Sequence, residues 1–102
     1  MMVKHVVMWN FKPEIKEEDK AKVKAEMKKN LEGLVGVVPG LLEGNFIEEP
    51  LPSSTHDMAL VSLHESAEAL KAYSTYPEHV KVADTFVRPF VHERSCMDYE
   101  VK

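Results

Sequence analysis

Residues 3–11 read VKHVVMWNF, and the alternation inside that stretch decides the fold. Valine, tryptophan and phenylalanine suit a pleated, half-buried surface, so the stretch predicts a strand. Successive side chains of a strand point to opposite faces. Val3, His5, Val7, Trp9 and Phe11 therefore share one side, and Lys4, Val6, Met8, Asn10 and Lys12 share the other. The first side is heavily apolar. The second is apolar only at its centre, at Val6 and Met8.

Downstream of Pro13 the period changes. Val23, Met27, Leu31 and Leu34 recur at helical spacing among lysines and glutamates, which predicts an amphipathic helix over 17–35. Gly33, Gly36 and Pro39-Gly40 close it. A second strand is expected over 41–48, with Gly44 as the mark of a bulge, and EPLPSSTH at 49–56 reads as a loop. DMALVSLHE at 57–65 predicts a third strand that is apolar on both faces. Ser66 is a good cap for the helix AEALKAYSTY, and Pro77 restarts the chain into a shorter helical piece through about 88. HERSCMDYEV at 92–101 predicts the last strand. The order β-α-β-β-α-β is α+β and ferredoxin-like: one four-stranded antiparallel sheet with both helices on one face, spanning residues 1–102 as a single domain.

Two helices cover one side of such a sheet. The second side, with Val6 and Met8 on the first strand and Leu60 assigned to it on the third, is too apolar for a wet face. Two readings stand: a homodimer packed sheet to sheet, or a monomer with scattered exposed apolar residues.

The 102 residues carry 13 basic and 17 acidic side chains, and the lysines of 16–29 alternate with glutamates as on a solvated helix face. This balance argues against a nucleic-acid partner. No apolar run approaches the ~20 residues of a membrane span, and no signal-peptide pattern is visible, so a cytoplasmic protein is expected. The single Cys96 excludes an intramolecular disulfide and a cysteine-rich zinc site, and reads as a small buried hydrophobe. The five histidines have no metal-ligand spacing; His64 and His92, near strand ends, read as solvent-facing. Neither a metal nor a cofactor is expected.

YSTYPEHV at 73–80 sets two phenols and an imidazole around a proline break. Read from residues alone, Tyr73 packs its ring into the core, His5 is a core histidine held by one backbone hydrogen bond, and Pro77 makes a kink. The competing reading is a pocket wall with proton-transfer groups.

Several stretches in order, VKHVVMWNFKPE, THDMALVSLHES, AYSTYPEHVKVAD and MDYEV, resemble the stress-responsive α/β-barrel (Dabb) family over nearly the whole chain. The resemblance implies sheets paired into a dimeric α+β barrel and a cavity between sheet and helices. In its polyketide-cyclase members that cavity performs acid–base chemistry. Their catalytic tyrosine and two histidines match Tyr73, His79 and His5, which implies His79 as base, Tyr73 as hydrogen-bond donor to a carbonyl, and His5 in support. Trp9, Met27, Leu31 and Tyr76 are the ligand-binding residues implied with them. Met27 and Leu31 stand where cyclases present aromatic rings, and Asp57-Met58 replaces a histidine-bearing start of the third strand. Some relatives hold a hard cation on backbone carbonyls after the first helix, at a stretch corresponding to GLVGVVPG. Two functions are therefore open: a cyclase- or lyase-type site for a small, partly apolar carbonyl compound, or a non-catalytic stress-responsive dimer.

Overall fold

The computed structural model describes residues 1–102. In chain order the elements are β1 (Val3–Phe11), α1 (Glu17–Glu32), β2 (Leu41–Ile47), β3 (Met58–His64), α2 (Ala67–Thr75), α3 (Pro77–Val82) and β4 (Val91–Glu100), with a wide π-helical turn at Ala83–Val87 after α3. All strand pairs are antiparallel, and the sheet order is β2-β3-β1-β4. This is the ferredoxin-like α+β fold read from the element order.

Burial alternates strictly along β1, with Val3, His5, Val7, Trp9 and Phe11 covered by the helices. Cross-strand partners share a face, so β3 follows in register: His5 opposite Ser62, Val7 opposite Leu60, Trp9 opposite Met58. Leu60 thus lies on the helix-covered face and is buried there. Its assignment to the open face is corrected by this register: Ala59 and Val61, opposite Met8 and Val6, are the residues of β3 that accompany them.

Helix α1 stops at Glu32, three residues short of the expected end, because the chain enters turns at Gly33 and bends toward β2. Acidic Glu17, Glu18 and Asp19 sit in its first turn, where the helix dipole favours them. Val23, Met27 and Leu31 form its buried stripe against Trp9, Phe46, Met58 and Leu60 in one continuous core. The Lys24 ammonium donates to the carbonyls of Glu48 (2.8 Å) and Asp57 (2.7 Å), tying α1 to both ends of the loop between β2 and β3.

The irregularity of β2 lies between Leu41 and Glu43, not at Gly44, which pairs regularly with Ser62. Gly40 has a φ of +83° and lies so close to α2 that a side-chain carbon there would meet the Ala69 Cβ at 2.7 Å. Its carbonyl accepts from the Glu65 amide, which closes the end of β3. His64 is consequently fully buried, not solvent-facing.

β4 is an edge strand and begins at Val91. Asn10 pairs with His92, but Met8 pairs with Ser95, so one extra residue is accommodated between them. Glu93, with φ 52°, is the non-glycine residue in the left-handed region there. The bulge changes the parity of the strand. Beyond it Cys96 lies opposite Val7 and Asp98 opposite His5, so both join the helix side of the sheet. Cys96 is nevertheless exposed, which corrects its reading as a buried hydrophobe: the helices lie over β1–β3 and leave the edge uncovered.

Candidate functional site

A cavity of about 500 Å³ opens between β1, β4, α2 and the α3–π-turn segment. His5 reaches it from the first half of β1 and Tyr73 from the last turn of α2. Ser66 caps α2 with its hydroxyl, which accepts from the Ala69 amide, and so fixes where that turn lies. His79 enters from α3, whose first residue is Pro77 and whose entry residue Tyr76 is extended (φ −63°, ψ 130°). The proline break therefore turns His79 back over Tyr73, and their ring centroids are 4.1 Å apart.

His5 is held by the Asp98 carboxylate through a short hydrogen bond to its Nδ1. This replaces the backbone partner expected for a core histidine. Donation from Nδ1 leaves Nε2 as the nitrogen able to accept a proton. The Cys96 sulfur lies 3.7 Å from the same Nδ1 and 3.5 Å from the Asp98 carboxylate. Burial, followed by the Asp98 charge, pushes the Cys96 thiol up, so it is a poor nucleophile at neutral pH.

Behind them sits His64. Its Nε2 shares a 2.9 Å hydrogen bond with Ser62, while its buried Nδ1 has no partner in the chain. Burial, reinforced by His5, pushes its pKa down to about 4. His64 is thus neutral at physiological pH and stacks edge-on against Tyr73 at 4.8 Å.

The two groups with the right reach for chemistry are tuned in useful directions. Burial lowers the His79 pKa, against a raising contribution from the Ser74 carbonyl, and the positive charges of Arg88 and Arg94 also oppose protonation. That carbonyl lies 3.4 Å from Nδ1, leaving Nε2 free. Burial raises the Tyr73 hydroxyl to about 12, so it stays protonated and acts as a donor. A neutral imidazole and a protonated phenol facing one space can move a proton on carbon and hold a carbonyl oxygen.

Of the residues singled out in the sequence, His5, Trp9, Leu31, Tyr73 and His79 line this cavity. Met27 and Tyr76 do not. Met27 is fully buried inside the packed core, and Tyr76 packs against that core from the helix junction. The wall also contains Asp98, Cys96, Arg88 and Arg94, which sequence reasoning missed. The signal for Asp98 was its place opposite His5, legible only once the β4 bulge is known. His5 Nδ1, Cys96 Sγ and an Asp98 oxygen lie within 4.8 Å of one another, a donor set that suits a divalent transition metal, although the His5–Asp98 hydrogen bond occupies two of its atoms.

The family model for the stress responsive A/B barrel domain, Dabb, matches residues 3–101. The chain belongs to the Dabb family. Among solved structures, it is similar to a dimeric protein of unknown function and ferredoxin-like fold from Bacteroides fragilis, at 28% identity and a TM-score of 0.88, covering 98% of this chain and 96% of that one. A Dabb family protein from Mesorhizobium loti shares the fold at 18% identity and a TM-score of 0.74, over 99% and 97% of the two chains. The hydroxynitrile lyase of Passiflora edulis does so at 16% identity and a TM-score of 0.72, over 99% and 94%. No curated protein matches the chain. No helix of this Dabb protein is long and apolar enough to cross a membrane.

Proposed function

We propose that this Dabb protein binds a small, partly apolar carbonyl compound in the cavity and transfers a proton at the carbon beside the carbonyl, as cyclases and lyases do. One observation carries the reading: Tyr73, His79 and His5 come from three different elements yet line one cavity of about 500 Å³. In the proposed mechanism the Tyr73 hydroxyl donates to the carbonyl oxygen as negative charge develops there. His79 Nε2 takes the proton from the adjacent carbon. The protonated His79 returns that proton to the enolate, while His5, oriented by Asp98, offers its Nε2 as an acceptor toward the ligand. Trp9 and Leu31 supply the apolar floor. The likeness in fold to a hydroxynitrile lyase is in keeping with this class.

The test is exchange of the α-hydrogens of phenylacetone in D₂O, followed by proton NMR. The wild type should exceed the buffer rate; His79→Ala should return it to that rate, and Tyr73→Phe should slow it about 100-fold. Both variants should keep the fold, since the Tyr73 hydroxyl makes no hydrogen bond within the chain and the His79 side chain is partly exposed with only a long contact to the Ser74 carbonyl. A wild type no faster than buffer would leave the other reading, a non-catalytic stress-responsive dimer.

The working unit in this proposal is a cytoplasmic homodimer built on the open sheet face. Support comes from dimeric relatives and from the apolar residues of that face: Val6, Met8 and Val61, with Met97 68% and Ile47 42% exposed in the single chain. Met8→Asp would place an unpaired charge in that interface at a cost of several kcal/mol. Sedimentation should then show monomer; a wild type already monomeric at high micromolar concentration would refute the assembly.

A further inference from the structure

The chain has 13 basic residues, and only two of them, Arg88 and Arg94, are arginines. Both line the cavity. Lys71 joins them, so the wall holds three fixed cations against one carboxylate, Asp98, which is already engaged by His5. The chain as a whole carries a net charge of −4. The site therefore reverses the sign of the molecule around it, a distribution that draws anions inward.

The positions of the two arginines are set by backbone irregularities, not by regular elements. Arg88 follows the π-helical turn, where its amide bonds back to the Ala83 carbonyl at 2.8 Å. Arg94 follows the left-handed Glu93 in the β4 bulge. Arg88 shares its charge with Asp84 one turn back, whereas Arg94 takes part in no ion pair within the chain. Both guanidinium groups act electrostatically on His79. The deep part of the cavity, by contrast, is walled by Val7, Leu31, Leu60 and Val87, which are buried.

We infer that the carbonyl ligand is itself an organic acid, with its carboxylate gripped at the cavity mouth by Arg94 and Arg88 and its apolar, carbonyl-bearing part directed inward to Tyr73 and His79. This rests on the carbonyl reading proposed above and adds the ligand's charge to it. A planar guanidinium forms two parallel hydrogen bonds with a carboxylate, which a lysine cannot reproduce. With Arg88 partly neutralised by Asp84, Arg94 is the guanidinium left free to take one carboxylate. Placed there, the carboxylate would also offset the two cations that oppose protonation of His79, and so would make His79 a stronger base when the ligand is bound.

Trp9, the chain's single tryptophan, lines the cavity and reports occupancy by its fluorescence. The probes are 4-oxo-4-phenylbutanoate, its uncharged methyl ester, and inorganic phosphate. The acid should bind at least about 10-fold more tightly than the ester, the margin of one good charge-assisted contact. Arg94→Gln should abolish that preference, Arg94→Lys should retain part of it, and Arg88→Gln should reduce it less. Both sites carry exposed side chains, so folding is not at stake. Equal binding of acid and ester overturns the carboxylate assignment and leaves the carbonyl cavity standing. Displacement of the acid by an equal concentration of phosphate overturns it in favour of a phosphate ligand. No change of Trp9 fluorescence with either organic probe overturns this inference together with the reading beneath it.

Discussion

The space between sheet and helices has two halves that differ in kind. Toward the loop end of β3, Trp9, Phe11, Met58 and Leu60 meet Val23, Met27 and Leu31 of α1 through hydrocarbon, thioether and ring surfaces, with Trp9, Leu31 and Leu60 also forming the apolar wall of the cavity. Toward the other end, one step along the same strands, His5, Ser62 and His64 take the equivalent inward positions and meet Tyr73 and His79 instead. The boundary runs straight across the sheet, between the Val7–Leu60 pair and the His5–Ser62 pair. The same alternating series of inward residues thus builds a stabilising core and a polar chamber side by side. A close-packed apolar half can hold the backbone rigid while the other half carries groups whose polar atoms are imperfectly satisfied, such as His64 Nδ1.

This contrast can be broken most directly at Met27, which has no exposed surface. Met27→Ala should lower stability by about 4 kcal/mol, in the upper part of the range for emptying a packed site. Urea unfolding would measure it. A loss below about 1 kcal/mol would mean that the apolar half is loosely filled and the distinction is lost.

A second expectation concerns acid. His64 is held at about 4 by burial, whereas an unfolded histidine titrates near 6.5. The unfolded chain therefore binds the extra proton first as the pH falls, and stability drops from about pH 6.5 toward 4. The contribution is fully present above that window. About 2 kcal/mol should disappear between pH 7.5 and 5, with His79, shifted the same way, adding to it. In His64→Leu the slope over this range should flatten substantially. An unchanged slope would locate the acid sensitivity outside the polar half.

The smallest effect is expected at the cavity rim. Glu93→Gly removes a side chain from a left-handed backbone position and should raise stability by about 1 kcal/mol, less whatever the Asn10–Glu93 hydrogen bond contributes. Loss of stability on that change would mean that the Asn10 contact, not backbone conformation, governs the bulge.

Much of this is legible in the sequence. The alternation of β1, the helical spacing of Val23, Met27 and Leu31, the cap at Ser66 and the break at Pro77 are local signals, and local signals determine local structure. What failed to show were relations between strands. Leu60 was put on the wrong face because β3 is apolar on both sides, and only its pairing with Val7 selects one. His64 stands at the end of a strand in sequence, but the Gly40 turn and α2 bury it. Tyr73, His79 and His5 were found through residue type and resemblance. Asp98, Cys96 and Arg94 were missed because a bulge resets the alternation of β4, and Glu93 carries no glycine or proline to announce it.

The π-helical turn at 83–87 and the bulge at Glu93 share a property: each holds one residue more than a regular helix or ladder would. Both flank Pro89, and both deliver an arginine to the same mouth. Chain length between α3 and the middle of β4 thus acts as an adjustment separate from the hydrophobic pattern that makes the fold. Deleting one residue just past the bulge, such as Ser95, with the bulge kept, would leave the pairing of Val91 with Phe11 intact and send Met97 and Tyr99 inward in place of Cys96 and Asp98. Deleting one within 83–87 would rotate the Arg88 side chain away by about 100° along a regular helix. Single-residue length changes in this short segment are therefore a route by which proteins of this shape can exchange one ligand for another while every layer of the fold stays where it is.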